Sequence, residues 1–277
     1  LPEFIFLIGA AKSGTTKLAD MLNMHPDICL SSPKEPDFFT DRVYDVTQLD
    51  KYHDLFTDKN ARFCLDASTS YAAGWHKSSA NTAARIAKHQ PGALIIYLYR
   101  NPVKRTWSSY WHGRRAGTES RALHDALHDE DGHHIQGSLY RDRVQDYLAH
   151  FDKDQIMIIQ FEDFVRRPHQ YANTIFSRLG LPDHAFDKDE QEGKVNESFQ
   201  WRGGFSVVNN FSGDYVVKLN SLAKLVLPGF LHEKIKNLVS KPVPELDPET
   251  HRLLEQRFQG PLDEFVEEYA DLIVKPE

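Results

Sequence analysis

With 277 residues, 40% hydrophobic and 12% aromatic, the chain can bury enough apolar surface for one large domain that folds without disulfides or metal. A formal charge of −7 and an isoelectric point near 6.1 argue against general binding to nucleic acid or anionic membrane, while leaving room for a local basic pocket. No apolar run approaches the roughly 18 residues that span a bilayer, and the N-terminus has no charged segment leading into an apolar one. Cys29 and Cys64 sit in apolar company and read as small buried hydrophobes of a reducing compartment.

Phe4, Ile5, Phe6, Leu7 and Ile8 form an unbroken apolar run, the pattern of a buried strand, and Leu18, Met21 and Leu22 recur at helical spacing. Between them lies a turn bounded by Gly9 and Gly14. A strand, a glycine-bounded loop and a helix N-terminus together gather backbone N–H groups and partial positive charge at one point, which suits a phosphate. The Gly9-x-x-x-x-Gly14 spacing is that of a triphosphate loop, but Thr15 stands where that loop has lysine and the cation comes earlier, at Lys12. Lys12 is therefore placed beside whatever leaves the innermost phosphate. A ligand-free strand-to-helix turn and a kinase or NTPase are the competing readings.

Further on, Pro33 and Pro36 frame Lys34 and Glu35 in an extended turn, which from composition alone is a solvated surface feature. Leu49, Tyr52 and Phe56 predict a helix within residues 47–56, and residues 62–65 a short strand ending at Asp66. Ligands gather at such strand ends in open α/β sheets, so Asp66, Ser68 and Tyr71 are candidate acceptor-side residues, with a plain Asx-type turn as the alternative. A helix over 79–89 and a buried strand over 93–99 follow, the strand ending in Arg100. Asn101-Pro102 opens the next helix, and Arg100 and Ser108 can converge on one anion if that helix packs back on the strand end.

His124, His128, His133 and His134 form the one metal-like cluster, yet lack the His-Glu-x-x-His order, and an acceptor-side segment is the preferred reading. Residues 137–151 predict a helix, 155–161 a strand and 162–179 another helix, so the alternation of strands and helices predicts a parallel, doubly wound sheet. Residues 183–215 are polar and aperiodic, the character of a lid, and residues 222–239 and 248–273 predict two scaffold helices. The fold class expected is α/β, one domain over residues 1–277 with a central parallel sheet flanked by helices.

Lys12-Ser13-Gly14-Thr15-Thr16, Ser32-Pro33-Lys34-Glu35-Pro36-Asp37-Phe38-Phe39 and the stretch from Tyr99-Arg100-Asn101-Pro102 to Ser108-Ser109-Tyr110 resemble, in the same order, three motifs of the sulfotransferases that use 3′-phosphoadenosine 5′-phosphosulfate (PAPS). The match is closest to the bacterial and heparan-sulfate-type branch and thins beyond residue 180. The resemblance implies a P-loop nucleotide-binding fold, PAPS as sulfate donor, 3′-phosphoadenosine 5′-phosphate (PAP) as product, no metal, and a hydroxyl or amine acceptor on a small molecule or glycan. It implies that Ala11, Lys12, Ser13, Gly14, Thr15 and Thr16 hold the 5′-phosphosulfate and that Arg100 and Ser108 hold the 3′-phosphate. Lys12 would neutralise the leaving group and Glu35 would act as general base. Asp66 and the histidines His76 and His112 are the competing bases, His112 also standing as an acceptor-side candidate. A basic C-terminal loop closes the cofactor pocket in that family, which makes Lys194, Trp201 and Arg202 the candidates here. Golgi glycan sulfotransferases of the resembled branch often carry a disulfide in their C-terminal third, so the resemblance, with no cysteine after Cys64, implies a bacterial-type cytoplasmic enzyme, a Golgi-luminal catalytic domain whose leader has been removed being the alternative.

Overall fold

A computed structural model describes residues 2–73, 78–186, 199–201 and 240–276. Five parallel strands lie in the order β2-β3-β1-β4-β5: β1 (Glu3–Gly9), β2 (Ile28–Leu30), β3 (Phe63–Asp66), β4 (Leu94–Tyr99) and β5 (Ile156–Gln160). Because side chains alternate across a strand, β1 sends Phe4, Phe6 and Ile8 to one face and Ile5 and Leu7 to the other, and β4 divides in the same way. Both faces are covered, which is why these strands read as continuous apolar runs rather than alternating ones.

On the Ile5 and Leu7 face pack α1 (Thr15–Leu22), α8 (Phe161–Phe164) and α9 (Pro168–Arg178), through Leu18, Leu22, Phe164, Tyr171, Ile175 and Phe176. The opposite face receives α2 (Leu49–His53), α3 (Ser78–His89), α7 (Tyr140–Leu148) and α10 (Pro248–Glu268), with an aromatic core around Phe4, Tyr52, Phe56 and Tyr71. A side chain such as Phe6, fully buried, contributes about 2 kcal/mol through its removal from water. A third cluster of Val103, Leu127, Ile135, Leu254 and Phe258 joins α4 (Pro102–Ala116), α5 (Leu123–His128), α6 (His133–Gln136) and α10. After α10 the chain pairs with β5: the Ile158 N–H donates to Leu272 O and the Val274 N–H to Ile158 O, each at 2.9 Å, so that edge of the sheet is covered.

The α/β fold with its central parallel sheet is as expected. The single helix expected over 162–179 is instead two, α8 and α9, because Pro168 has no N–H to continue a helix and takes the first position of a new one. The C-terminal helix ends at Glu268 rather than 273, and β2 is a three-residue edge strand where the sequence pattern assigned none. The helix expected over 222–239 lies outside the described residues. Of the expected lid segment 183–215, residues 183–186 and 199–201 are described. Residues 199–201 form β6 (Phe199–Trp201), which pairs antiparallel with β7 (Ser240–Pro242) and lies against α4.

Candidate anion-binding and transfer site

The loop between β1 and α1 is shaped for an anion. Gly14 has φ +85° and caps α1; a Cβ there would approach the Phe161 ring to 2.8 Å, so only glycine fits. No side chain caps the helix and its first turn carries no acid, which leaves its N–H groups to an incoming acceptor. Lys12 also takes a positive φ, +72°. Arg100 Nη1 donates to Lys12 O at 2.9 Å and Arg105 Nε to Ala11 O at 3.1 Å, so two arginines hold the loop's carbonyls. Ser13 is fully buried and its hydroxyl has no protein partner, and the Arg100 Nε is likewise buried without one. Orphaned buried donors are costly unless a ligand satisfies them, which marks both as candidate ligand contacts.

The charges agree. The Lys12 amine is lowered to about 8, first by burial, then by Arg115, Arg100 and Arg105, with Glu35 pulling the other way. Its Nζ lies 3.5 Å from His112 Nδ1, and Arg115 reaches that same nitrogen at 2.8 Å. Burial, Lys12 and Arg115 hold the His112 imidazole down at about 4. A neutral ring whose Nδ1 accepts from a guanidinium carries its proton on Nε2, and that nitrogen is then a donor. Four cations, Lys12, Arg100, Arg105 and Arg115, converge on this loop against two carboxylates, Glu35 acting on Lys12 and Glu162 on Arg100, an excess of positive charge that an anion would relieve.

Glu35 stands beside the loop on the Ser31–Phe39 turn. Lys34 Nζ donates to its Oε1 at 3.0 Å and Thr69 Oγ1 to its Oε2 at 3.4 Å, and its side chain stays 42% exposed. Arg100 stacks over the Phe161 ring at 4.6 Å. Ser108 follows on α4 and is largely buried, while Thr15 is buried and Thr16 exposed at the start of α1.

Asp66, Ser68 and Tyr71, expected on the acceptor side, are turned into the interior with no exposure. Asp66 accepts from Ser68 Oγ at 2.6 Å, Tyr71 OH at 2.7 Å and Tyr52 OH at 2.9 Å. Burial still pushes this carboxyl up to about 6, against the pull of those three donors. Ser68 Oγ in turn accepts from the Asp37 N–H at 3.0 Å, and Tyr71 OH from the Phe39 N–H at 3.4 Å. The three residues thus hold the turn that carries Glu35 and do not face an acceptor. The competing base Asp66 is excluded on the same ground, since a carboxylate saturated by buried hydroxyls has no path to a substrate proton.

The histidines do not converge. His124 and His128 stack at 3.9 Å on an exposed helix, whereas His134 is buried between Ser109 Oγ at 2.9 Å and Glu119 Oε2 at 3.1 Å. Among the described residues no group of three or more His, Cys, Asp or Glu is arranged to hold a metal. His76, Lys194 and Arg202 lie outside the described residues, and of Trp201 only the backbone is described.

Sequence reasoning missed Arg105 and Arg115. Residues 105, 108, 112 and 115 are spaced by three, four and three along α4, which places them on one helical face, and that periodicity could have found both.

A parallel sheet whose central strand feeds a glycine-bounded, cation-lined loop into a helix N-terminus defines a P-loop-type fold. Residues 2–220 match the family described as the sulfotransferase domain, and the chain belongs to that family. Human carbohydrate sulfotransferase 15 is 23% identical over 249 residues, 65% of this chain and 44% of the relative. Mouse heparan sulfate glucosamine 3-O-sulfotransferase 3B1 is 29% identical over 197 residues, 68% of this chain and 48% of the relative. The chain thus spans less than half the length of these curated relatives. The crystal structure of a sulfotransferase from Alicyclobacillus acidocaldarius superposes with a TM-score of 0.57 at 28% identity, covering 69% of this chain and 89% of that one.

Proposed function

We infer that the chain transfers a sulfuryl group from PAPS to a hydroxyl or amine on a glycan or small molecule. The observation that carries this reading is the loop itself: Lys12 set early in it, ringed by Arg100, Arg105 and Arg115, above a buried Ser13 hydroxyl that lacks a partner. Ala11 to Thr16 would hold the 5′-phosphosulfate, Arg100 and Ser108 the 3′-phosphate, and Arg202 would close over the nucleotide. PAPS supplies a sulfur whose bridging oxygen leads to a good leaving group. Glu35 takes the proton from the acceptor as its oxygen or nitrogen bonds to sulfur, and the bond from sulfur to the bridging oxygen breaks in line. Lys12 neutralises the charge that builds on that oxygen, and His112 offers its Nε2 proton to the sulfuryl oxygens. The carboxylate of Glu35 is partly open to solvent, as a base that must meet an incoming acceptor has to be.

A cytoplasmic setting belongs to the same proposal. It is supported by Cys29 and Cys64, free buried thiols paired in register on β2 and β3. No described helix is long and apolar enough to cross a membrane.

The test is a screen of amino-sugar, glycan, lipid and phenol acceptors with sulfur-labelled PAPS in the presence of EDTA. Label appearing in an acceptor, lost on Lys12→Ala, is the expected outcome. Transfer from ATP that EDTA abolishes would instead make the chain a kinase, and tight PAP binding with no transfer to any acceptor would make it a binding module.

A further inference from the structure

Arg105 is the largest fully buried side chain among the described residues, at 1% exposure. Its Nε donates to Ala11 O at 3.1 Å, and its Nη1 to His134 O at 2.9 Å and Ser138 Oγ at 3.3 Å. The groups acting on its charge are Tyr140, Tyr97 and Arg100, none of them a carboxylate. A guanidinium buried without an anionic partner is costly, and an apolar side chain of similar volume would serve stability better. What the arginine gives in return is a fixed peptide in the anion loop.

A trans peptide is planar, with its C=O and N–H pointing in opposite directions. With the Ala11 carbonyl held on Arg105, the Lys12 N–H is directed the other way, where it finds no backbone acceptor. The same bond stabilises the left-handed backbone of Lys12, a conformation that a residue with a Cβ adopts only at a cost. Arg100 holds the next carbonyl, that of Lys12, but the N–H of that peptide, on Ser13, is already taken by Ala10 O at 3.1 Å. Of the two arginines it is Arg105, remote from solvent and unable to touch a ligand, that presents an unused amide.

We propose that Arg105 is a positioning residue: through the Ala11 carbonyl it aims the Lys12 amide at the 5′-phosphate end of the nucleotide. This rests on the reading of the loop as a phosphosulfate site. Gly137 completes the device. A Cβ at Gly137 would come within 2.4 Å of Arg105 Nη2 and 2.7 Å of its Cζ, so that glycine is what lets the guanidinium lie flat behind the loop. Gly137 itself has φ −70° and ψ −4°, a conformation alanine adopts without strain.

The experiment is calorimetric titration of the full chain, as wild type, Arg105→Met and Gly137→Ala, with two nucleotides: PAP, and adenosine 3′-monophosphate, which lacks the 5′-phosphate. Gly137→Ala keeps every polar group and only displaces the guanidinium. Both variants are expected to lose about tenfold or more in affinity for PAP, as loss of one well-aimed donor to a charged group implies, and to bind the 3′-monophosphate within about twofold of wild type. Equal weakening toward both nucleotides, or unfolding of both variants, would make Arg105 a prop of the fold and overturn the proposal. PAP affinity within about twofold of wild type in both variants would overturn it too. A wild-type chain that binds neither nucleotide refutes the proposed function, and this inference with it.

Discussion

The Lys12 amine sits close enough to neutrality for its charge to be switched without mutation. Held at about 8 by burial and by Arg115, Arg100 and Arg105, it is protonated in about nine molecules of ten at pH 7, half at pH 8 and one in ten at pH 9. The protonated form is the low-pH form, so the charge is present below pH 8 and lost as pH rises through it. A bound 5′-phosphate brings anionic charge to the amine and returns its affinity for the proton toward the ordinary lysine value, so PAP binding and proton binding are linked. PAP affinity should therefore fall about twofold from pH 7 to pH 8 and about tenfold by pH 9, and binding at pH 9 should take up close to one proton. Calorimetry in two buffers of different ionisation enthalpy reads both quantities. Arg115→Gln removes the largest cationic neighbour and should move the decline to higher pH, and Lys12→Met should abolish it. Affinity constant within about twofold from pH 7 to pH 9, with uptake of less than about a fifth of a proton, would refute the picture of a cation-crowded lysine.

Glu35→Gln keeps the contacts to Lys34 and Thr69 but removes basicity; turnover with any accepted acceptor should fall about a hundredfold with PAP affinity nearly unchanged, and near-normal turnover would sink the assignment. Arg100→Ala should weaken PAP far more than adenosine 5′-phosphosulfate, which lacks the 3′-phosphate; equal loss by calorimetry would contradict a 3′-phosphate role. Asp66→Ala strands the hydroxyls of Tyr52, Ser68 and Tyr71 and should cost on the order of 3 kcal/mol in urea unfolding at neutral pH, a loss under about 1 kcal/mol counting against the network. Because the folded Asp66 carboxyl is raised to about 6, its contribution favours the fold below the usual carboxylate range and is lost as pH rises through 6. The stability gap between wild type and Asp66→Ala should accordingly narrow between about pH 4 and pH 7.

The strand, glycine-bounded loop and helix at the start of the chain were legible because their determinants are local: a run of five apolar residues, two glycines at fixed spacing and a helical period all fall within 20 residues of sequence. The strands over 93–99 and 155–161 were legible for the same reason. Asp66 was misread because a polar cluster at a strand end looks alike whether it faces a ligand or a hydroxyl cage. Tyr52, which closes that cage, comes from α2 and cannot be seen in the Asp66 stretch. Arg105 was missed because an arginine in an amphipathic helix is ordinarily solvated, and its partners on the loop and at Ser138 are 94 residues earlier and 33 later. The break between α8 and α9 could have been read from Pro168, whose effect on the preceding turn is local.

The hold of Arg100 and Arg105 on Lys12 and Ala11 spans 88 and 94 residues of chain. Chains are synthesised from the N-terminus and long-range contacts close late, so the nascent first hundred residues contain every atom of the loop without its shape. The loop's carbonyls meet their arginine partners only when β4 lies beside β1 and α4 has turned back over the loop. If the loop holds the nucleotide as proposed, competence to bind it comes with β4 and α4 rather than with the segment that carries the loop's own residues, so a partly synthesised chain offers no premature sink for the nucleotide.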